Sequence, residues 1–259
     1  MTVLVHAVVS LGLLIVVPLG LTLLPTRTTS TRWWFAFAVP GAVALWLPRG
    51  AVSITLASIY LAGTLVLITL AARHFLQHRT LGARQVALYT ALATPSIAAL
   101  ALVAERSSYE LFGFNLTVLS LTVAHFHFAG FAAALMAYLS ADGLAAVSVP
   151  LGTLLVLLGF FLGDPVELAG AVVLTAGMWL VGWNLWRRSQ RTDRTTAILL
   201  VVSASVLVVT MLLAVSWALG HVVDTPYLPL EWMVATHGVA NAVGFALCGV
   251  LAMRREGVG

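Results

Sequence analysis

The chain contains no lysine, a single cysteine and few charges of either sign. Each shortage excludes something. Charged residues make up 8% of the sequence and hydrophobic residues 61%, with a mean hydropathy of +1.04. A soluble globular chain carries roughly a quarter charged residues, so this one lacks the means to cover a water-facing surface. The composition is that of an integral membrane protein. Cys248 alone cannot form an internal disulfide or a multi-cysteine metal site, and its apolar setting suits a small buried hydrophobe. With lysine absent, the isoelectric point near 9.8 comes from arginine alone. In such a chain that bias sets orientation, and no nucleic-acid partner is expected. Also missing are a low-complexity linker, a soluble domain, and a basic n-region of a secretory signal in "MTVLVHAVVS". The first apolar run continues to Leu24 and is expected to be retained.

What the chain does have is a series of long apolar runs. A spanning helix needs about 20 such residues. Division at the charges predicts helices over 3–24, 33–47, 51–72, 86–104, 115–139, 144–162, 166–186, 195–219 and 231–253. The expected fold is all-α: one integral-membrane domain over 1–259, a polytopic transmembrane bundle of about nine spans in contact with the lipid bilayer. The count falls to eight if 33–47, which is short and holds Pro40, does not cross. Its Trp33 and Trp34 suit an interface anchor.

The arginines test this division. Arg27 and Arg32 follow the first helix, Arg73, Arg79 and Arg84 the third, Arg187, Arg188, Arg191 and Arg194 the seventh, and Arg254 and Arg255 the ninth. Only Arg49 and Arg106 fall in the alternate loops, so eleven of the 13 share one side. The positive-inside rule then predicts a multi-pass protein of the cell membrane with its N-terminus outside and its C-terminus cytoplasmic. The acids Glu105, Glu110, Asp164, Glu167, Asp224 and Glu231 sit at the opposite, outer ends. They are either what remains once arginine is kept inside, or the rim of an outward-facing polar site.

Two stretches break the apolar pattern, "LTVAHFHFAGFAAAL" at 121–135 and "MVATHGVANAVGFAL" at 233–247. At 1.5 Å per residue, His125 and His127 lie about 15 to 18 Å below the start of their helix and His237 about 9 Å below Glu231. Ionisable groups at such depth are costly and mark functional sites. The competing reading is an interhelical hydrogen bond, worth ~0.6 kcal/mol. His125 and His127, two residues apart, point about 200° apart around the axis. One is expected to face a central site and the other a neighbouring helix. His237 and Asn241, four apart, share a face, and Gly238 and Gly244 permit close approach there. His74 and His78 read as a solvated interface, although such a pair can bind a metal. His6 and His221 fall at outer helix ends, His221 being a candidate for the rim.

The motifs "HFHFAGF" and "HGVANAVGF" resemble the YndJ-like family of bacterial polytopic membrane proteins. The positions that carry the likeness are His125, His127, Gly130, His237, Asn241 and Gly244. The resemblance covers most of the chain and implies a membrane bundle more than an activity, although the family is sometimes labelled a transporter. Separately, "VAHFHF" resembles the histidine-pair helix of the haem–copper oxidase catalytic subunit, where two histidines on opposite faces hold two haems. That subunit also needs an adjacent His-His pair, which this chain lacks. The likeness leaves haem binding open and excludes an oxidase.

The functional expectation is an intramembrane enzyme doing acid–base chemistry on a lipophilic small molecule. Histidine, with an unperturbed pKa of about 6.5, exchanges protons at physiological pH. The expected catalytic set is His125, His127, His237 and Asn241 with Glu105, Glu110 and Glu231 as carboxylic acids. It suits isomerisation, cyclisation or hydration of an isoprenoid-like or polyketide-like substrate. Phe126, Phe128, Phe131, Trp179 and Trp183 could line an apolar pocket, or simply pack. A small-molecule transporter is the alternative, with Pro95 and Pro150 as interruptions of its helices. Haem or a histidine-ligated metal is the further one, and no cofactor is assumed.

Overall fold

Lipid cannot hydrogen-bond a backbone, so a chain this apolar must satisfy its peptide groups within helices. The computed structural model describes residues 1–24, 31–140 and 143–257, and among these every regular element is helical. Eight helices are long and apolar enough to cross a membrane. They are α1 (Thr2–Leu21), α3 (Ala51–His78), α4 (Ala83–Arg106), α5 (Leu116–Ser140), α6 (Gly143–Leu162), α7 (Asp164–Ser189), α8 (Arg194–Val223) and α9 (Leu230–Gly257). Between α1 and α3 lies α2 (Arg32–Trp46), whose 15 residues include Pro40. At 1.5 Å per residue it reaches about 22 Å, short of the ~30 Å hydrocarbon core. The protein is a multi-pass membrane protein. Arg27 lies outside the described residues.

Several helices outrun the predicted spans. The third was expected to stop at 72, but α3 continues to His78. A charge ends the lipid-soluble stretch without ending the hydrogen-bonded helix, so His74 and His78 stand on a helix and not in a loop. Termini are capped where the sequence supplies a cap. The Asn115 side chain accepts from the Val118 amide at 3.0 Å at the start of α5. Asp193 opens α8 by accepting from the Thr196 hydroxyl and from the amides of Thr196 and Thr195, and these bonds hold its carboxyl below the usual range.

The described residues fall into two compact units, divided within α4 and within α5. One comprises Thr2–Thr80 and Tyr89–Ala132, the other chiefly Leu81–Leu88 and the chain from Ala133 onward. In the first, α2 packs on α3 and on α1. Trp34 is fully buried there and donates through Nε1 to the Leu13 carbonyl at 2.8 Å, which makes it a core residue and not an interface anchor.

In the second unit α6 and α7 pack backbone to backbone. Gly152 and Gly159 on α6, and Gly170 and Gly177 on α7, repeat at seven residues and so lie on one face of each helix. A Cβ on Gly152 would stand 2.5 Å from the Leu174 backbone, and one on Gly159 equally close to Glu167. Small residues of this kind let membrane helices gain packing energy without a hydrophobic driving force. The opposite face of α6 carries Leu151, Leu154, Leu158 and Phe161, all exposed, the stripe a lipid-facing helix requires.

Candidate functional site

Both histidine motifs fall where the backbone is wound more widely than an α-helix. The segments Phe126–Ala132 in α5, and Val234–Gly238 and Ala240–Leu247 in α9, are π-helical. So is Gly12–Val16 in α1, where the Val17 amide reaches back to the Gly12 carbonyl. There Pro18 follows directly, and a proline ring crowds the carbonyl four residues before it, which a widened turn relieves. Such turns are rare and concentrate at functional positions.

His127 is fully buried in the first unit. Its Nδ1 lies 2.6 Å from the Val123 carbonyl and its Nε2 2.6 Å from the Tyr60 hydroxyl. A carbonyl only accepts, so Nδ1 carries the proton, and in the neutral ring Nε2 accepts from Tyr60. The two rings stack with centroids 6.0 Å apart, and Trp34 meets Tyr60 edge-on. Bare glycines make room for this stack. A Cβ on Gly12 would lie 3.0 Å from His127 Cβ, and one on Gly41 2.7 Å from Tyr60 Cβ. Both nitrogens of His127 are therefore committed to protein atoms, leaving neither for haem iron or a substrate. His125, half-buried, stands edge-on to Phe126 at 5.5 Å.

His237 is bonded differently. In the second unit its Nδ1 lies 2.7 Å from the Thr210 carbonyl, which again places the proton on Nδ1. Among the described residues Nε2 takes no hydrogen bond, and the side chain is half-buried, not sealed. Asn241 fixes the surroundings: its Nδ2 donates to the His237 carbonyl at 2.9 Å and its Oδ1 lies 3.0 Å from the Thr210 hydroxyl. The expected shared face of His237 and Asn241 is present, with Thr210 as the partner that sequence reading did not find. Gly244 packs closely on α8, its Cβ position 2.6 Å from Val206 Cγ2. At Gly238 an added Cβ would meet only an ordinary contact, with the Met233 carbonyl oxygen at 3.9 Å.

The outer acids diverge in setting. Glu105 is almost wholly buried, and Arg49 reaches its Oε1 at 2.6 Å. Arg106, itself buried, grips both oxygens of the same carboxylate. Arg106 Nη1 also donates to the carbonyls of Ala44, Leu45 and Leu47 at 3.1 to 3.3 Å, closing the C-terminal end of α2. Glu105 is thus a paired carboxylate, not a carboxylic acid open to a substrate. Glu110 and Glu231 are exposed, Glu231 in the first turn of α9. The aromatics also separate: Phe126, Phe128 and Phe131 are core, whereas Trp179 and Trp183 are 42% and 56% exposed.

His127 and Glu105 belong to the first unit and His237, Asn241 and Glu231 to the second. Among the described residues no three His, Cys, Asp or Glu side chains group so as to hold a metal ion. Tyr60, Thr210 and Arg106 are the residues that sequence reading missed as partners. Tyrosine and threonine are ordinary in membrane helices, and Arg106 drew notice only as one of two arginines on the acidic side.

The model of the YndJ-like protein family matches residues 7–245, and the chain belongs to that family. No curated protein and no solved structure matches it.

Proposed function

We propose that this YndJ-like chain is an intramembrane enzyme in which His237 takes and returns a proton through Nε2 during isomerisation, cyclisation or hydration of a lipophilic substrate. The observation that carries the reading is the asymmetry of the His237 imidazole. Nδ1–H is fixed on a backbone carbonyl, so Nε2 presents its lone pair in a defined direction, as a general base must. Asn241 and Thr210 restrain the ring and the backbone that bears it. Gly238, the next residue, places no side chain beside the ring. Glu231, about 9 Å along the axis, is the acid nearest in sequence and lies in the same unit. His127 and Glu105 take supporting roles, since their polar atoms already serve the packing.

A second reading has the same support. An imidazole whose Nδ1–H rests on a carbonyl is also the arrangement found in metal-ligating histidine, so His237 Nε2 would be the atom to hold a haem or a metal ion.

Comparison of lipid extracts from a deletion strain complemented with wild type or His237→Ala tests the proposal. An apolar precursor should accumulate in the deletion and in His237→Ala alike. Extracts from His237→Ala that match the wild type, against a deletion that differs, would overturn the assignment. A Soret band in purified wild-type protein, lost in His237→Ala, would decide for haem.

A further inference from the structure

A second imidazole pair lies at the arginine-rich end of α3, within the first unit. His74 and His78 are one helical turn apart and share a face, with ring centroids 4.4 Å apart. The His74 ring is held by a relay. Its Nδ1 lies 3.3 Å from the Tyr89 hydroxyl, and that hydroxyl lies 3.4 Å from the Thr80 carbonyl. The carbonyl only accepts, so it takes the Tyr89 proton, and the hydroxyl oxygen then accepts from His74 Nδ1–H. His74 Nε2 is left as an uncommitted lone pair. His78, the last residue of α3, is exposed and carries no hydrogen bond among the described residues.

We propose that His74 and His78 form a two-imidazole site for a first-row transition-metal ion, Zn(II) or Cu(II), at the membrane boundary. Imidazole nitrogens bind these ions at about 2.0–2.1 Å, which sets two ligands of a tetrahedral ion about 3.3 Å apart. Ring centroids 4.4 Å apart are near that separation, and among the described residues no hydrogen bond holds the exposed His78 ring in place. The Thr80–Tyr89–His74 relay is the outer support that fixes the tautomer and aim of a metal-binding histidine. Among divalent ions an imidazole pair holds Cu(II) most tightly. The remaining coordination positions open to water, and Arg73 and Arg79 flank the pair in sequence. Binding is accordingly weaker than in a closed four-residue site.

The full chain in lipid nanodiscs, titrated with Zn(II) or Cu(II) against a chromogenic chelator, provides the test. One ion per chain should bind, and His74→Ala or His78→Ala should each weaken it at least tenfold. The Cu(II) resonance spectrum should change from two nitrogen donors to one. Tyr89→Phe should keep both donors yet weaken binding about 10- to 100-fold, the usual cost of lost outer support. The same site should persist in His237→Ala, which separates this proposal from the one above. His78→Gln decides the matter even if His74→Ala misfolds, because His78 is exposed. Unchanged affinity and an unchanged nitrogen count in the His78 variants would refute the site.

Discussion

The Tyr60 hydroxyl lies 2.6 Å from His127 Nε2, in a pair separated by 67 residues of sequence and wholly buried in the first unit. Tyr60→Phe removes one partner and leaves the other with a buried, unmet acceptor. The expected cost is about 1–3 kcal/mol, read as earlier unfolding in detergent. Tyr60→Phe combined with His127→Leu should cost less than the sum of the two single changes, because both polar groups then leave together. Strict additivity would show that the bond contributes nothing.

Glu105 shares its carboxylate between Arg49 and Arg106, the two arginines that fall outside the majority cluster. Glu105→Gln strands a buried guanidinium, and breaking such a pair costs about 3–5 kcal/mol. Arg106→Met together with Glu105→Met should recover part of that loss by removing both charges. Equal stability of the wild type and Glu105→Gln would rule the latch out.

The positive-inside reading predicts that Ser107 is outside and Thr80 cytoplasmic. In a Cys248→Ala background, Ser107→Cys should react with an impermeant maleimide on intact cells. Thr80→Cys should react only after permeabilisation. The reverse pattern would invert the orientation.

Gly238 and Gly244 separate access from packing. Gly238→Leu adds a side chain next to His237 where a Cβ meets only an ordinary contact, so it should suppress the lipid conversion with no loss of thermal stability. Gly244→Leu meets Val206 and should destabilise by about 1–3 kcal/mol, the usual cost of overpacking. Loss of stability in Gly238→Leu would mean that the space beside it is not free.

Thr210→Val removes the hydroxyl bond to Asn241 but keeps the carbonyl that holds His237. Interhelical bonds of this kind in membranes average about 0.6 kcal/mol, so stability should fall only slightly. Activity should fall further, since Asn241 loses one of its two anchors. An activity equal to that of the wild type would leave Asn241 a purely structural residue.

Much of the fold was legible in the residues. Hydropathy placed the spans, and the break at 33–47 was visible as a short run with a proline, which the structure shows as a 15-residue helix. Asn115 announced the start of α5 by its capping chemistry. The candidate site was legible only in part. His237 and Asn241 share a face as the four-residue spacing requires, but nothing in the chain marked Thr210 as their partner. Depth singled out three histidines, yet His127 has both nitrogens committed and His237 has one uncommitted.

By itself the sequence determined the membrane class, the helical architecture and the span boundaries to within a few residues. These follow from hydropathy and charge, which accumulate residue by residue along the chain. Only the tertiary structure decided that Arg106 closes α2 through Glu105, that the motif segments are widely wound, and that His127 is enclosed while His237 keeps a lone pair uncommitted. A hydrogen-bond partner is fixed by which helix faces which and at what register. Residues remote in sequence settle that only once the helices have packed.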